Sequence, residues 1–94
     1  MPIRLTVQMK IKPGTQTDFE AAAQAATARV KAEDAGCQMY DLFKSLDDDT
    51  CYAMIEAWEN EENLAAHGKS PAMAEMAKIG PFLDGAPTMN QYSD

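Results

Sequence analysis

A chain of 94 residues with 46% hydrophobic side chains makes one domain and is too apolar for wholesale disorder. Its formal charge of −7 argues against nucleic acid and anionic membrane surfaces as partners, because both are bound mainly through Lys and Arg. A domain this short buries only about 60–65% of the surface its unfolded chain exposes, so association is expected before any motif is considered.

The N-terminus alternates. Ile3, Leu5, Val7, Met9 and Ile11 interleave with Arg4, Thr6, Gln8 and Lys10, the period-2 pattern of a strand with one apolar face. Such alternation is not the core of a secretory signal, and no apolar run reaches the roughly 20 residues of a membrane span. Pro13-Gly14 ends the strand. Thr17 with Glu20 three residues later forms a capping box with Phe19 just inside, and the alanine-rich segment that follows predicts a helix stopping at Gly36.

Two strands follow, CQMYDLFKS and CYAMIEAW, folded back on each other around the turn LDDDT. The run Asp47-Asp48-Asp49 reads as an exposed hairpin tip, with a cation site as the alternative. Cys37 and Cys51 would then lie near opposite ends of the hairpin, too far apart to bridge. Reduced, inert thiols and a cytoplasmic location are expected.

Asn60 is a good N-cap, with Glu61 and Glu62 favourably placed against the helix dipole, and the short helix runs to about His67 before Gly68. Ser70-Pro71 restarts the chain as an N-cap and N1 pair for PAMAEMAKIGPFL, limited by Gly80-Pro81. The remaining GAPTMNQYSD predicts a last strand, with Pro87 restricting it to an edge or a strand start.

The order β-α-β, then β-α-β with a broken helix, is the split-βαβ, ferredoxin-like arrangement. It predicts an α+β fold, 1–94, with a four-stranded antiparallel sheet and helices on one face. Both faces of the second and third strands carry apolar groups, so both need covering, and a face-to-face homodimer would cover the open one.

Trp58 and Glu56 share strand parity and leave the same side of the sheet. A hairpin centred on the Asp run sets Gln38 opposite Trp58 and Tyr40 opposite Glu56, with Met54 and Leu42 below. A one-residue slip would undo this cluster.

Along EAWENEENLAAHGKSPAM the sequence resembles the antibiotic biosynthesis monooxygenase family of the dimeric α+β barrel superfamily. The resemblance rests on Glu56, Trp58, Glu61/Glu62, Ala66-His67 and Ser70-Pro71. Upstream, KPGTQTDFEAA and AGCQMYDLFKS resemble the family's Pro-Gly turn and its Gly-Cys-x-x-Tyr strand, with Tyr40 as the tyrosine. The resemblance implies a homodimer with a pocket between sheet and helices in each subunit. Some members oxidise quinols or polycyclic phenols with O₂ and no metal or flavin. Others degrade heme, process small signalling molecules, or have no demonstrated reaction.

For the cofactor-free chemistry the protein must bind a flat ring, exclude water and favour deprotonation. Trp58, Phe19, Phe43 and the methionines would supply apolar walls. His67, whose unperturbed pKa suits proton transfer, and Tyr40 are the catalytic candidates, with Gln38 and Glu56 as polar contacts to the substrate. Each has a plainer reading: His67 as a helix C-terminal cap, Trp58 as a core aromatic, Glu56 as an ion-pair partner of Arg4 or Lys44. Strand 1 lacks the asparagine of heme-degrading relatives, and a lone histidine does not make a metal site, so no cofactor or metal is expected. The alternative function is a non-catalytic homodimeric ligand-binding or stress-associated domain on the same fold, because function belongs to the site.

Overall fold

The alternating first strand forms β1, Ile3–Lys10, and it lies inside a four-stranded antiparallel sheet of order β2-β3-β1-β4 in the computed structural model, which describes residues 2–94. β2 is Cys37–Lys44, β3 is Cys51–Trp58 and β4 is Thr88–Ser93. The helices are α1, Gln16–Glu33, α2, Glu61–His67, and α3, Ala72–Met76, continued by a 3₁₀ segment over Ala77–Phe82. This is the ferredoxin-like α+β fold expected from the element order.

The apolar stripe of α1 consists of Phe19, Ala23, Ala26 and Val30, spaced by four, three and four residues, and all four are buried. They meet the sheet face carrying Ile3, Leu5, Met9, Tyr52, Met54 and Trp58. The small alanines let α1 lie close to that face. The opposite face carries Phe43 and Tyr92, which remain 46% and 56% exposed. β4 is exposed along its whole length, as befits an edge strand following Pro87.

Three local expectations are corrected. Thr17 does not cap α1: the helix already begins at Gln16, with the Thr15 carbonyl accepting from Phe19 N at 2.8 Å. Thr15 Oγ1 instead donates to the Lys12 carbonyl at 2.6 Å, closing the Pro13-Gly14 turn. The segment after Ser70 is not one helix up to Gly80. It tightens to 3₁₀ geometry from Ala77 and carries Pro81 inside, where the shorter repeat tolerates the missing donor. The hairpin register also shifts between Cys37 and Met39, so Cys37 rather than Gln38 opposes Trp58. Tyr40 does oppose Glu56, as expected.

Asn60 caps α2 as read, whereas α1 stops at Glu33, short of Gly36, and α3 begins at Ala72, one residue after Pro71. Asn60 Oδ1 accepts from Asn63 N at 2.8 Å, and Ser70 Oγ accepts from Ala72 N at 3.1 Å. Gly36 has φ +79, and a Cβ there would lie 2.3 Å from Asn63 Cγ. Only glycine allows β2 to start this close to α2. At the hairpin tip Asp48 Oδ1 accepts from Thr50 N and Oγ1 at 2.9 and 2.6 Å, which makes the Asp run a turn. Cys37 and Cys51 are free thiols. Among the described residues no helix is long and apolar enough to cross a membrane.

Candidate active site

Trp58 is the last residue of β3, wholly buried, and two neighbours are organised around it. Its indole Nε1–H donates to Glu56 Oε1 at 3.0 Å. Its ring face packs on the His67 imidazole, with centroids 4.5 Å apart and planes 31° from parallel. Tyr40 meets both rings edge-on, at 6.2 Å from Trp58 and 5.4 Å from His67. Strand parity and the Tyr40–Glu56 register thus bring Glu56, Trp58 and Tyr40 to one face, and the short helix α2 lowers His67 onto them.

His67 is held from behind. Its Nδ1 lies 2.7 Å from Asp34 Oδ2, just past the C-terminus of α1, and Ser70 Oγ–H donates to the other oxygen of the same carboxylate. A carboxylate only accepts, so Nδ1 carries the hydrogen and Nε2 presents a lone pair in the neutral ring. The His67 and Asp34 side chains are 7% and 6% exposed. His67 is also the last residue of α2.

Glu56, Tyr40 and His67 line one end of a cavity of about 300 Å³ between the sheet and the α2–α3 side. Most of the remaining wall is apolar, and Met9, Met54, Met73, Met76 and Met89, five of the seven methionines, contribute to it. Glu56 Oε2, Tyr40 Oη and His67 Nε2 have no hydrogen-bond partner among the described residues, yet no sealed side-chain N or O is left unpartnered. Each of these atoms therefore keeps some accessible surface, and all three residues line the cavity. The mouth lies by the β4 edge, at Pro87, Met89 and Gln91.

The electrostatics follow from burial. The Glu56 carboxyl is pushed above its ordinary range by desolvation, opposed by the Trp58 hydrogen bond and by His67. The Tyr40 hydroxyl is pushed well up by burial and then by the charge of Glu56, so it stays protonated and can donate. Burial and Glu56 likewise raise the Cys37 thiol, which keeps it unreactive.

Glu56 has a consequence for stability. Between the ordinary value of 4.5 and its raised value in the fold, native Glu56 holds a proton that the unfolded chain releases. Its contribution is full below about 4.5 and is lost as pH rises through the folded value. The stability difference between wild type and Glu56→Gln, measured by urea unfolding across a pH series, is expected to fall over that window and then level off. A difference flat in pH would contradict the shift.

The other sequence candidates lie elsewhere. Gln38 sits at the β2 irregularity, exposed, because the extra residue is turned out of the ladder. Phe19 is core, against Tyr52 at 4.7 Å. Phe43 is on the opposite sheet face, and neither phenylalanine lines the cavity. Trp58 stands behind the wall rather than in it. Glu56 pairs with neither Arg4 nor Lys44, which bond Asp94 and Glu20. Asp34 is missed by the sequence reading: one acidic residue among fifteen, 33 positions from its histidine, it gives no local signal.

A ferredoxin-like sheet with a buried carboxyl, a carboxylate-held imidazole and a small apolar cavity defines a small-molecule site on an α+β scaffold. The model of the family described as antibiotic biosynthesis monooxygenase matches residues 2–79. The chain belongs to that family. It is 28% identical over 85 residues to the YcnE protein of Bacillus subtilis (strain 168), described as a putative monooxygenase, covering 90% of this chain and 88% of that one. A crystal structure from Caulobacter crescentus CB15, described as a putative antibiotic biosynthesis monooxygenase, superposes with a TM-score of 0.93. The two are 28% identical, over 99% of this chain and 89% of that one. A Nitrosomonas europaea structure described in the same words shares the fold with a TM-score of 0.91 at 17% identity, over 99% and 89% of the two chains.

Proposed function

We propose that this protein is a homodimeric monooxygenase acting on a small phenol or hydroquinone, with the substrate itself supplying the electrons to O₂. The observation that carries the reading is that Glu56, Tyr40 and His67 line one otherwise largely apolar cavity, while Glu56 Oε2, Tyr40 Oη and His67 Nε2 have no partner among the described residues. His67 Nε2 takes the phenolic proton, and the imidazolium so formed is balanced by Asp34. The Tyr40 hydroxyl donates to a ring oxygen and Glu56 Oε2 engages a second hydroxyl. The phenolate passes one electron to O₂, and the radical pair collapses to a ring hydroperoxide. Loss of water then leaves a hydroxylated quinone, so a hydroquinone and O₂ become hydroxyquinone and water. The methionine walls hold the ring and keep bulk water away.

A homodimer is supported by the half-exposed Phe43 and Tyr92 on the uncovered sheet face and by the wholly exposed β4. A second copy on that side would bury the apolar groups. A monomeric mass by light scattering at micromolar concentration would overturn this part.

The activity is tested by oxygen uptake with metal-stripped protein across a panel of hydroquinones and phenols, with His67→Ala and Tyr40→Phe alongside. Uptake by the wild type and its loss in His67→Ala are expected. Turnover indifferent to both substitutions would overturn the site. Saturable quenching of Trp58 fluorescence with no oxygen uptake would instead make the protein a binding domain.

A further inference from the structure

The cavity contains an asymmetry of charge. Among its lining residues there is no Lys or Arg, while Glu56 contributes a carboxyl that is only 3% exposed. His67 is the one group there able to become a cation, and the Asp34 carboxylate behind it reduces the pair to neutrality at most. Arg4, Arg29, Lys31, Lys44 and Lys78 are paired with Asp94, Glu33, Asp41, Glu20 and Glu75, and Lys10, Lys12 and Lys69 do not line the cavity either. The chain as a whole carries −7, so its long-range field opposes approach of an anion as well.

An anion entering this cavity would lose its hydration, find no countercharge, and meet either the Glu56 carboxylate or the need to protonate it. An uncharged ring bearing a hydroxyl meets none of these obstacles. Its O–H has acceptors in Glu56 Oε2 and His67 Nε2, and its oxygen has a donor in Tyr40.

We propose that the cavity selects uncharged hydroxyaromatic ligands and rejects anionic ones, and that Glu56 is the residue that sets this rule. The inference rests on the reading that the cavity holds an aromatic ligand, but it concerns binding, not oxidation. Acidic aromatics are therefore outside the ligand range, and the reaction that supplies the ligand must leave it without carboxylate, sulfate or phosphate groups.

The test uses two bicyclic probes of matched shape, 6-hydroxynaphthalene-2-sulfonamide and 6-hydroxynaphthalene-2-sulfonate, titrated calorimetrically into the full chain at about pH 8 without turnover. The sulfonamide is expected to bind about 30-fold more tightly than the sulfonate, as one uncompensated like charge would require. Glu56→Gln should narrow the gap to about fivefold or less, chiefly by improving the sulfonate. Gln91→Lys, at the exposed rim of the cavity, supplies a second reading should the glutamine variant not fold. It is expected to strengthen the sulfonate about tenfold while leaving the sulfonamide within about twofold. Equal binding of the two probes, no binding of either, or a sulfonate unmoved by both variants would overturn the proposal. Charge selection without any oxygen uptake would leave it standing while the oxidation reading fell.

Discussion

Trp58→Ala is expected to cost about 3–5 kcal/mol of folding stability, the scale of emptying a large aromatic site in a core that relaxes only partly. The residue is wholly buried at the end of β3, opposite Ile3 on one neighbouring strand and Cys37 on the other. The cavity left behind is only the first loss. Glu56 Oε1 loses its hydrogen-bond donor, and a buried acceptor left without a partner costs about 1–3 kcal/mol by itself. His67 loses the surface it lies against at 4.5 Å. Trp58→Phe separates these losses, because it keeps most of the apolar volume and removes the Nε1–H. That variant should lose about 1–3 kcal/mol, mostly from the orphaned carboxyl. Urea unfolding followed by circular dichroism gives both values. A phenylalanine variant as stable as the wild type would mean that the indole nitrogen does not hold Glu56. If the domain lies at the low end of the usual range of about 5–15 kcal/mol, the alanine variant would be partly unfolded at physiological temperature.

The second large effect concerns proton transfer. Removing a positioned general base typically costs about 10²–10⁴-fold in rate, and His67→Ala is expected to fall in that range for any substrate that turns over. Asp34→Asn tests the partner behind it. Asparagine can still accept from Nδ1–H, but it can also present its amide to the ring and stabilise the tautomer with the hydrogen on Nε2, the atom that must be bare. It also removes the charge that balances an imidazolium. A loss of about 10²-fold is expected. Asp34 acts through His67, so Asp34→Asn added to His67→Ala should cost almost nothing more. A double variant that loses the product of the two single effects would reduce Asp34 to a structural tie between α1 and the α2–α3 joint. Ser70, which donates to the same carboxylate, makes such a tie a real competitor.

The Asp34–His67 contact marks where local reading stops. Everything governed by neighbours a few residues apart was legible: the alternation of β1, the Asn60 cap, the Ser70 restart, the turn over the three aspartates, and the strand parity that puts Glu56 and Trp58 on one side. Helix and strand periods act within a turn or two, so the residues that obey them lie together in the chain. From the order of the elements the antiparallel ferredoxin-like sheet followed too, because few topologies accommodate a split pair of β-α-β units.

Several things depended on how finished elements meet. The register shift that turns Gln38 out and seats Cys37 opposite Trp58 is a matter of cross-strand hydrogen bonds, which residue type does not announce. Phe19 and Phe43 looked like pocket walls by chemistry alone, yet α1 buries one in the core and strand parity sends the other to the far side of the sheet. Where the lone histidine would lie was not legible along the sequence. Asp34, just past α1, meets a ring 33 residues further on, which no local period encodes. Sequence alone fixes the scaffold and the faces of its strands, since those are short-range sterics and hydrophobic period. The cavity, its charge and the orientation of its histidine come from long-range packing, because a buried atom's partner is chosen by the whole fold.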